Sequence, residues 1–259
     1  MWTSFLWDIP IEDALREQAA AGWMFAELSD EHSIELIQRG RGSGEALRKV
    51  ADDLGVSVEQ GHLDLPADIA STDAIDNMMA SIKRRIDLFA EAGITAAVIH
   101  PGGGRISDPH ERLKRQLDGL HELTVHAQGT GVVMCLEPCC SGWELAPLLR
   151  ATAPAQVGVC LDSGHVNLTA EDQADLIRSW GPRLRGLHIS DNDGKTDLHI
   201  FPRQPRGTVK WWPLIAALEE IGYAGLYNFE LPGENRVSLD ERRAKLRTFI
   251  TAAREMFGR

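Results

Sequence analysis

The amino terminus offers nothing that would direct the chain to a membrane. The stretch from Met1 to Asp8 has no basic region and no apolar run long enough for a signal peptide or a membrane span. We therefore expect a cytoplasmic protein with no membrane partner. Cysteine is also scarce and carries no CxxC pair or disulfide spacing, and the neighbours Cys139 and Cys140 could not readily bridge to each other. We expect Cys135 and Cys160, like these two, to be reduced thiols.

An excess of positive charge is missing as well. The formal net charge is -11 and the sequence pI is about 5.3, so the overall field repels polyanions and makes a nucleic-acid partner unexpected. No linker, low-complexity segment or shift in composition divides the chain. With 43% hydrophobic and 25% charged residues, it has the composition of a globular protein, and we predict a single domain over residues 1–259.

What the sequence does contain is a regular alternation of short apolar runs and amphipathic stretches, which is typical of βα units. Eight strands are predicted: Thr3 to Trp7, Met24 to Leu28, Val56 to His62, Ala96 to His100, Val132 to Glu137, Val157 to Leu161, Gly186 to Ile189 and Leu226 to Glu230. The predicted helices are Ile11 to Ala21, Glu45 to Leu54, Asp73 to Ala92, Asp108 to Gln128, Glu144 to Ala151, Ala170 to Trp180, Lys210 to Ile221 and Ser238 to Phe257.

Two architectures accommodate eight parallel strands. A doubly wound open sheet that binds a dinucleotide needs a glycine-rich turn after its first strand, but the turn from Trp7 to Pro10 has no glycine. A closed (β/α)8 TIM barrel has no such requirement. We therefore predict an α/β protein with this barrel fold, whose active site lies at the carboxyl ends of the strands.

Ionisable side chains recur at these strand ends. They belong to six different predicted strands: His62, His100, Glu137, Asp162, His188 and Glu230. In a barrel the strand ends converge, and buried carboxylates need a compensating charge, so the pattern predicts a divalent metal site. Each residue taken alone could be part of a structural ion pair. Glu27 is one such isolated case, and we treat it as a salt-bridge or rim residue outside the site.

Further histidines fall into two groups. His165 follows Asp162 by three residues and Asp197 precedes His199 by two, so both histidines could extend the site. The stretch from Asp191 to Gly194 lacks the later ligands and the terminal glutamate of a calcium loop, and that reading is rejected. The remaining histidines lie away from strand ends and are expected to be solvated: His32, His110, His121 and His126.

The chain resembles the xylose-isomerase-like barrel superfamily, specifically the sugar phosphate isomerase/epimerase group, which is related to endonuclease IV. The resemblance spans nearly the whole chain. Its most specific parts are the stretches from Val159 to His165, His188 to His199 and Phe229 to Leu231. In the epimerases of this group, residues similar to four in this chain hold one divalent metal: Glu137, Asp162, His188 and Glu230. The resemblance also implies that the two glutamates act as acid and base.

The resemblance thus implies a metal-dependent isomerase or epimerase that acts on a small sugar, sugar phosphate or keto-polyol through an enediolate, with His165 as a further catalytic candidate. Candidate substrate-binding residues are His62, His100, Lys195, His199, Arg203 and Arg206. The two arginines lie in the stretch from Ile200 to Gly207, which departs from the Pro-Gly-x-Gly turn of the relatives and could clamp a phosphate or carboxylate or simply be solvated. An oxygen-rich ligand set favours Mn²⁺, with Mg²⁺, Co²⁺ and Zn²⁺ as alternatives.

Three alternatives stay open at this stage. The same proton abstraction with a β-hydroxyl leaving group would give an inosose- or dehydroshikimate-type dehydratase. The three-zinc pattern of the apurinic-site nuclease also has counterparts at nine positions here, although the negative charge disfavours DNA binding. A non-catalytic barrel that only binds a ligand is the third. A homo-oligomer is compatible with the sequence.

Overall fold

The computed structural model describes residues 1–63, 68–70, 75–139, 141–232 and 237–258. Within them a single sheet holds seven strands that are parallel and paired in chain order. The strands are β1 Phe25–Leu28, β2 Ser57–His62, β3 Ala96–Ile99, β4 Val133–Leu136, β5 Val157–Asp162, β6 Leu184–Ile189 and β7 Asn228–Phe229.

Helices connect these strands. The described α-helices are α1 Ile11–Ala21, α2 Asp30–Arg39, α3 Ser43–Leu54, α4 Ile75–Ala92, α5 Pro109–His126, α6 Ala146–Ala151, α7 Ser163–Asn167, α8 Gln173–Trp180, α9 Trp211–Glu220 and α10 Leu239–Phe257. Short 3₁₀ helices span Thr3–Leu6, Gly142–Leu145 and Gly181–Arg183. Among the described helices, none combines the length and the apolar character needed to cross a membrane.

The sheet curls into a nearly closed barrel, and Trp2 lies at the seam. Trp2 forms a parallel bridge with Glu27 of β1, and its N–H donates to the carbonyl of Phe229 in β7 at 3.0 Å. The hydrogen bond that connects this segment to β1 is donated by the Glu27 N–H to the Met1 carbonyl at 3.2 Å. The predicted TIM-barrel fold is confirmed. In place of the eighth strand that the sequence predicts, the described residues have the single bridge residue Trp2.

The predicted first strand, Thr3 to Trp7, is therefore wrong. The segment turns into the 3₁₀ helix Thr3–Leu6, in which all four side chains are buried. A short run that is buried on every side shows neither the strand period nor the helix period, so the pattern could not distinguish them. The other predicted strands and helices overlap observed elements, although residues 73 and 74 of one predicted helix lie outside the described residues. Helices α2 and α7 were not predicted.

His32 is a second correction, because it is buried rather than solvated. It lies in α2, its Nε2 is 3.0 Å from the Ile9 carbonyl and its Nδ1 is 3.2 Å from Ser29 Oγ. Burial lowers its pKa. The error follows from the missed helix: without α2, nothing in the sequence placed this side chain against the barrel. His110 and His121 are exposed as expected.

Strand alternation directs the functional side chains inward. Along β5, Val159 and Leu161 belong to the main core beneath the helices, whereas Cys160 packs in a separate small cluster with Val98 and Cys135. Because successive side chains of a strand point to opposite faces, this small cluster lies inside the barrel. Residues two positions after its members, such as Glu137 and Asp162, point to the same interior at the carboxyl ends.

Asp191, two residues after β6, organises the long connection to α9. Its buried carboxylate accepts five hydrogen bonds, from the backbone N–H groups of Asn192, Arg203, Thr208 and Val209 and from the indole N–H of Trp211. The bonds measure between 2.8 and 3.2 Å. The carboxylate is therefore the anchor of the whole segment.

Asp191→Ala should destabilise the protein by about 3 kcal/mol or more, because each buried donor left without an acceptor costs about 1–3 kcal/mol. The matched control is Asp193→Ala in the same loop, whose carboxylate accepts from the exposed turn at Lys195 and Thr196. That change should cost less than about 1 kcal/mol. Urea unfolding measures both, and equal losses for the two variants would contradict the anchoring role.

Candidate metal centre and active site

Four side chains expected to hold a metal meet at the carboxyl end of the barrel. Glu137 follows β4, Asp162 ends β5, His188 lies in β6 and Glu230 follows β7. One ligand atom from each lies within 4.8 Å of those of the others, and all four residues are buried. His188 Nδ1 is 3.2 Å from Glu137 Oε1 and 3.3 Å from Glu230 Oε2. The four residues therefore surround a common point.

The polar atoms that face this point form no hydrogen bond of good geometry among the described residues. This holds for both carboxylate oxygens of Glu137, for Asp162 Oδ2, for His188 Nδ1 and for Glu230 Oε2. Buried charged oxygens without donors are costly, and a cation at their meeting point would compensate them. Three carboxylates and one imidazole are a suitable donor set for a divalent ion. The residues present thus fit the metal that the sequence predicts.

The local fold directs one oxygen of Asp162 to this point. Asp162 is the N-cap of α7, and its Oδ1 accepts from the backbone N–H of His165 at 2.8 Å. Oδ2 is left without a hydrogen bond. The helix can lie this close to β6 because residue 164 is glycine: a Cβ there would come within 2.5 Å of Ser190 Oγ.

Imidazoles surround Glu137. His62 Nε2 and His100 Nε2 lie 3.3 and 3.2 Å from Oε2, and His165 Nδ1 lies 3.1 Å from Oε1. Burial raises the pKa of Glu137, but the positive charge available on His188 and these neighbours outweighs it and holds that pKa well below the usual range. The contacts with these imidazoles therefore favour the ionised form of Glu137.

Asp197 joins His165 to one further imidazole, that of His199, at the rim. Its Oδ2 lies 3.3 Å from His165 Nε2 and 3.1 Å from His199 Nε2, while His199 Nδ1 lies 3.1 Å from the Glu230 carbonyl. Burial lowers the pKa of His199, but Asp197 and other carboxylates outweigh it and raise that pKa to about 10. Ligand atoms of Asp162, His165 and His199 also lie within 4.8 Å of one another.

A small cavity opens beside these groups. Its volume is about 240 Å³, and it is lined by Trp2, His62, His100, His165, His199, Glu230 and Pro232. Four of the lining residues are histidines that the sequence predicts to belong to the site. The side chains that would meet a molecule entering this cavity are therefore mainly imidazoles, with one carboxylate.

The three cationic candidates for substrate binding lie elsewhere. Lys195, Arg203 and Arg206 are exposed and are not among the residues that line this cavity. The Arg203 guanidinium lies over the ring of Trp212, 5.5 Å from its centroid, and Arg206 pairs with Asp193 at 3.2 Å. The structure thus brings the histidines and carboxylates together but does not bring these three residues to them.

Glu27 is the polar residue that sequence reasoning missed. It is fully buried rather than at a rim, and His188 Nε2 lies 3.0 Å from its carboxylate. Gln60 and Asn228 also donate to it. The sequence feature that could have identified Glu27 is its place near the end of β1, because the other carboxylates were identified by their places at strand ends. Its partners come from three other strands, so no pattern within one strand reveals them.

Comparison with known proteins gives the family. The family model described as a xylose isomerase-like TIM barrel matches residues 13–252. The fructoselysine 3-epimerase of Shigella flexneri is 26% identical over 159 residues, which cover 58% of this chain and 57% of that protein. An inosose dehydratase of Bacillus anthracis is 30% identical over 76 residues, which cover 29% of this chain and 23% of that protein. The chain therefore spans only part of the length of these relatives.

A solved structure agrees on the fold. A D-psicose 3-epimerase crystallised in the presence of D-fructose superposes with a TM-score of 0.79 at 17% sequence identity, covering 100% of this chain and 99% of that one. At this identity the likeness concerns the architecture alone. Together with the match over residues 13–252, it leads to one conclusion: the chain belongs to the xylose isomerase-like TIM barrel family.

Proposed function

We propose that the chain is a divalent-metal-dependent isomerase or epimerase of a small ketose or related polyol. The observation that carries the proposal is the meeting of four buried ligand atoms, from Glu137, Asp162, His188 and Glu230, within 4.8 Å of one another. The oxygen-rich donor set favours Mn²⁺ over softer ions. When bound, the cation would stabilise the negative charge that develops on the substrate oxygens as the carbon beside the carbonyl loses a proton.

Glu137 and Glu230 are the proton-transfer groups in this proposal. They follow β4 and β7, which lie apart in the barrel, so they can approach a substrate from different sides. Burial raises the pKa of Glu230, but His188 and His199 outweigh it and hold that pKa below its usual value. The ionised carboxylate is the form that accepts a proton, so the glutamate that acts as general base enters the step ionised and its counterpart enters it protonated.

The neighbouring imidazoles carry the protons that face the glutamates. Burial lowers the pKa of His100, but Glu137 outweighs it and raises that pKa to about 9. His165, held between Glu137 and Asp197, can pass a proton from the rim to the buried carboxylate. One glutamate, in the ionised form, takes a proton from the substrate, and the other, which enters the step as the carboxylic acid, gives its own proton to the opposite face. The first glutamate then carries a proton and the second is ionised, and exchange of one proton with solvent through the rim histidines restores the starting state.

The cavity favours a small polyhydroxylated substrate. His62, His100, His165 and His199 all line it, and each offers ring nitrogens to hydroxyl groups. The relative from Shigella flexneri is named for the epimerisation of fructoselysine, and the solved neighbour for that of psicose. These names support a ketose or ketose derivative as the substrate class here.

The proposal is tested by proton exchange in deuterated water. The Mn²⁺-loaded protein is incubated with ketohexoses, fructoselysine and inososes, and deuterium is followed at the carbon beside the carbonyl by NMR. We expect incorporation together with formation of an isomer or epimer, and close to one manganese per chain by emission spectroscopy. A protein that retains no metal and exchanges no proton from any of these compounds would overturn the proposal.

Two alternatives rest on specific observations. The match to inosose dehydratase favours loss of water after the same proton abstraction, which would give a product lighter by one water in the same experiment. The additional ligand groups, His62–His100–Glu137 and Asp162–His165–His199, would allow more than one cation, as in a hydrolytic site. Nicking of duplex DNA at abasic sites, with two or three zinc ions per chain, would support that function instead.

A further inference from the structure

The buried carboxylate of Glu27 contacts the ring of His188 at the nitrogen that does not face the other predicted ligands. We propose that Glu27 is a positioning residue that fixes the ring of His188, so that Nδ1 and not Nε2 is presented to the cation. The inference rests on the proposed function, because it concerns the same metal site. It adds a residue whose side chain reaches the site only through the His188 ring.

The two ring nitrogens of His188 face different carboxylates. Nε2 lies 3.0 Å from Glu27, whereas Nδ1 lies 3.2 Å from Glu137 Oε1 and 3.3 Å from Glu230 Oε2. Neutral imidazole carries a proton on one nitrogen and a lone pair on the other. With Nε2–H donating to Glu27, the lone pair is on Nδ1, which is the nitrogen beside the other predicted ligands. A carboxylate behind a ligating histidine fixes the ring and its tautomer in this way.

The groups around Glu27 explain why position 27 needs a carboxylate, which accepts hydrogen bonds and donates none. Gln60 Nε2 donates to Glu27 Oε2 at 2.8 Å, and Asn228 Nδ2 donates to the same oxygen. An amide at position 27 would have to place its oxygen toward these two donors. Both Glu27 oxygens lie 3.0 Å from His188 Nε2, so the NH₂ group would replace one of the two acceptors at this nitrogen with a donor. The donor favours a lone pair on Nε2, which leaves the proton on Nδ1. That proton would compete with the cation.

The barrel interior leaves room for this arrangement at Gly186. A Cβ at residue 186 would come within 2.5 Å of Gln60 Oε1, so the glycine two residues before His188 makes space for the amide that orients Glu27. Glu27, Gln60, His188 and Asn228 come from four different strands and are all buried. The group thus connects strands on both sides of the Trp2 seam to the ring of the predicted ligand.

The test is the affinity for Mn²⁺ of the Glu27→Gln protein, measured by EPR titration of free manganese. We expect Kd to rise by about 10–100-fold, the usual cost of losing such a partner. The matched control is Glu59→Gln on the neighbouring β2, where the carboxylate accepts from Ser57 Oγ at 2.9 Å outside the site. Its Kd should equal that of the wild type. Thermal unfolding checks that both variants are folded.

A second measurement uses the wild type and is independent of any variant's folding. In Mg²⁺-loaded protein labelled with ¹⁵N-histidine, a long-range ¹H–¹⁵N spectrum should show His188 protonated at Nε2, with the resonance assigned from a His188→Gln sample. A proton on Nδ1, or an unchanged Kd in folded Glu27→Gln, overturns the role of Glu27. Failure of the wild type to bind any divalent cation would instead overturn the proposed function, and the two failures are thereby distinguished.

Discussion

Glu137→Gln and Glu230→Gln should each lower the rate of substrate interconversion by about 10²–10⁴-fold, the usual contribution of a positioned general acid or base. An amide keeps the shape of the side chain but cannot accept the proton of the substrate. Interconversion is measured by NMR at a manganese concentration that saturates each variant, so that weaker metal binding does not contribute to the loss. Each variant should still fold and still bind manganese.

The control for these variants is Glu144→Gln. Glu144 lies in the 3₁₀ helix Gly142–Leu145, seven residues after Glu137, and is exposed. It should retain full activity. If either site variant interconverts the substrate at more than about a tenth of the wild-type rate when fully loaded with manganese, that glutamate is not a proton-transfer group.

Removal of the cation is the second large effect we expect. Ligand binding stabilises the folded state by about 2.7 kcal/mol at a concentration of one hundred times Kd. For a chain of this size, about 1 kcal/mol shifts Tm by roughly 2–4 °C. Chelation of bound manganese should therefore lower Tm by about 5–10 °C, since the buried carboxylates of Glu137, Asp162 and Glu230 then lose their counter-charge. Differential scanning calorimetry with and without manganese measures the shift.

Asp162→Asn should abolish this manganese-dependent shift. The chain offers a matched control in Asp172, because both aspartates are helix N-caps whose carboxylates accept a backbone N–H three residues later. An asparagine can cap a helix as well, so each substitution preserves the local structure. Asp172→Asn should keep the full response to manganese. An equal response in both variants would show that Asp162 does not contribute to the metal site.

Much of this architecture could be predicted because strand alternation repeats along the chain. The carboxylates and histidines at positions such as Glu137, Asp162 and His188 follow buried apolar runs, and parallel strands bring their carboxyl ends together. The expected ligands consequently meet in the structure. The first strand was wrong because the stretch from Thr3 to Leu6 is buried on all sides and has no readable period.

Other errors arose where a side chain depends on partners distant in sequence. The sequence predicts a salt-bridge or rim residue at Glu27, yet the carboxylate is buried against His188, 161 positions away. The sequence also predicts a solvated His32, whereas α2, which is absent from the predicted elements, holds it in a buried position. The sequence leaves Arg203 either as a clamp for a substrate anion or as a solvated side chain, and the loop that Asp191 holds places its guanidinium over Trp212. The pattern of a single sequence does not reveal contacts between residues that lie this far apart along the chain.

The position of Trp2 also links the local separation of β1 from β7 to the binding of a molecule in the cavity. Trp2 joins β1 to β7 through its backbone and is one of the residues that line the cavity. A molecule packed against this residue would restrain local separation of these two strands. Amide hydrogen exchange at Trp2 and Glu27 should therefore slow when a true substrate binds, which would identify it even if its turnover were too slow to detect.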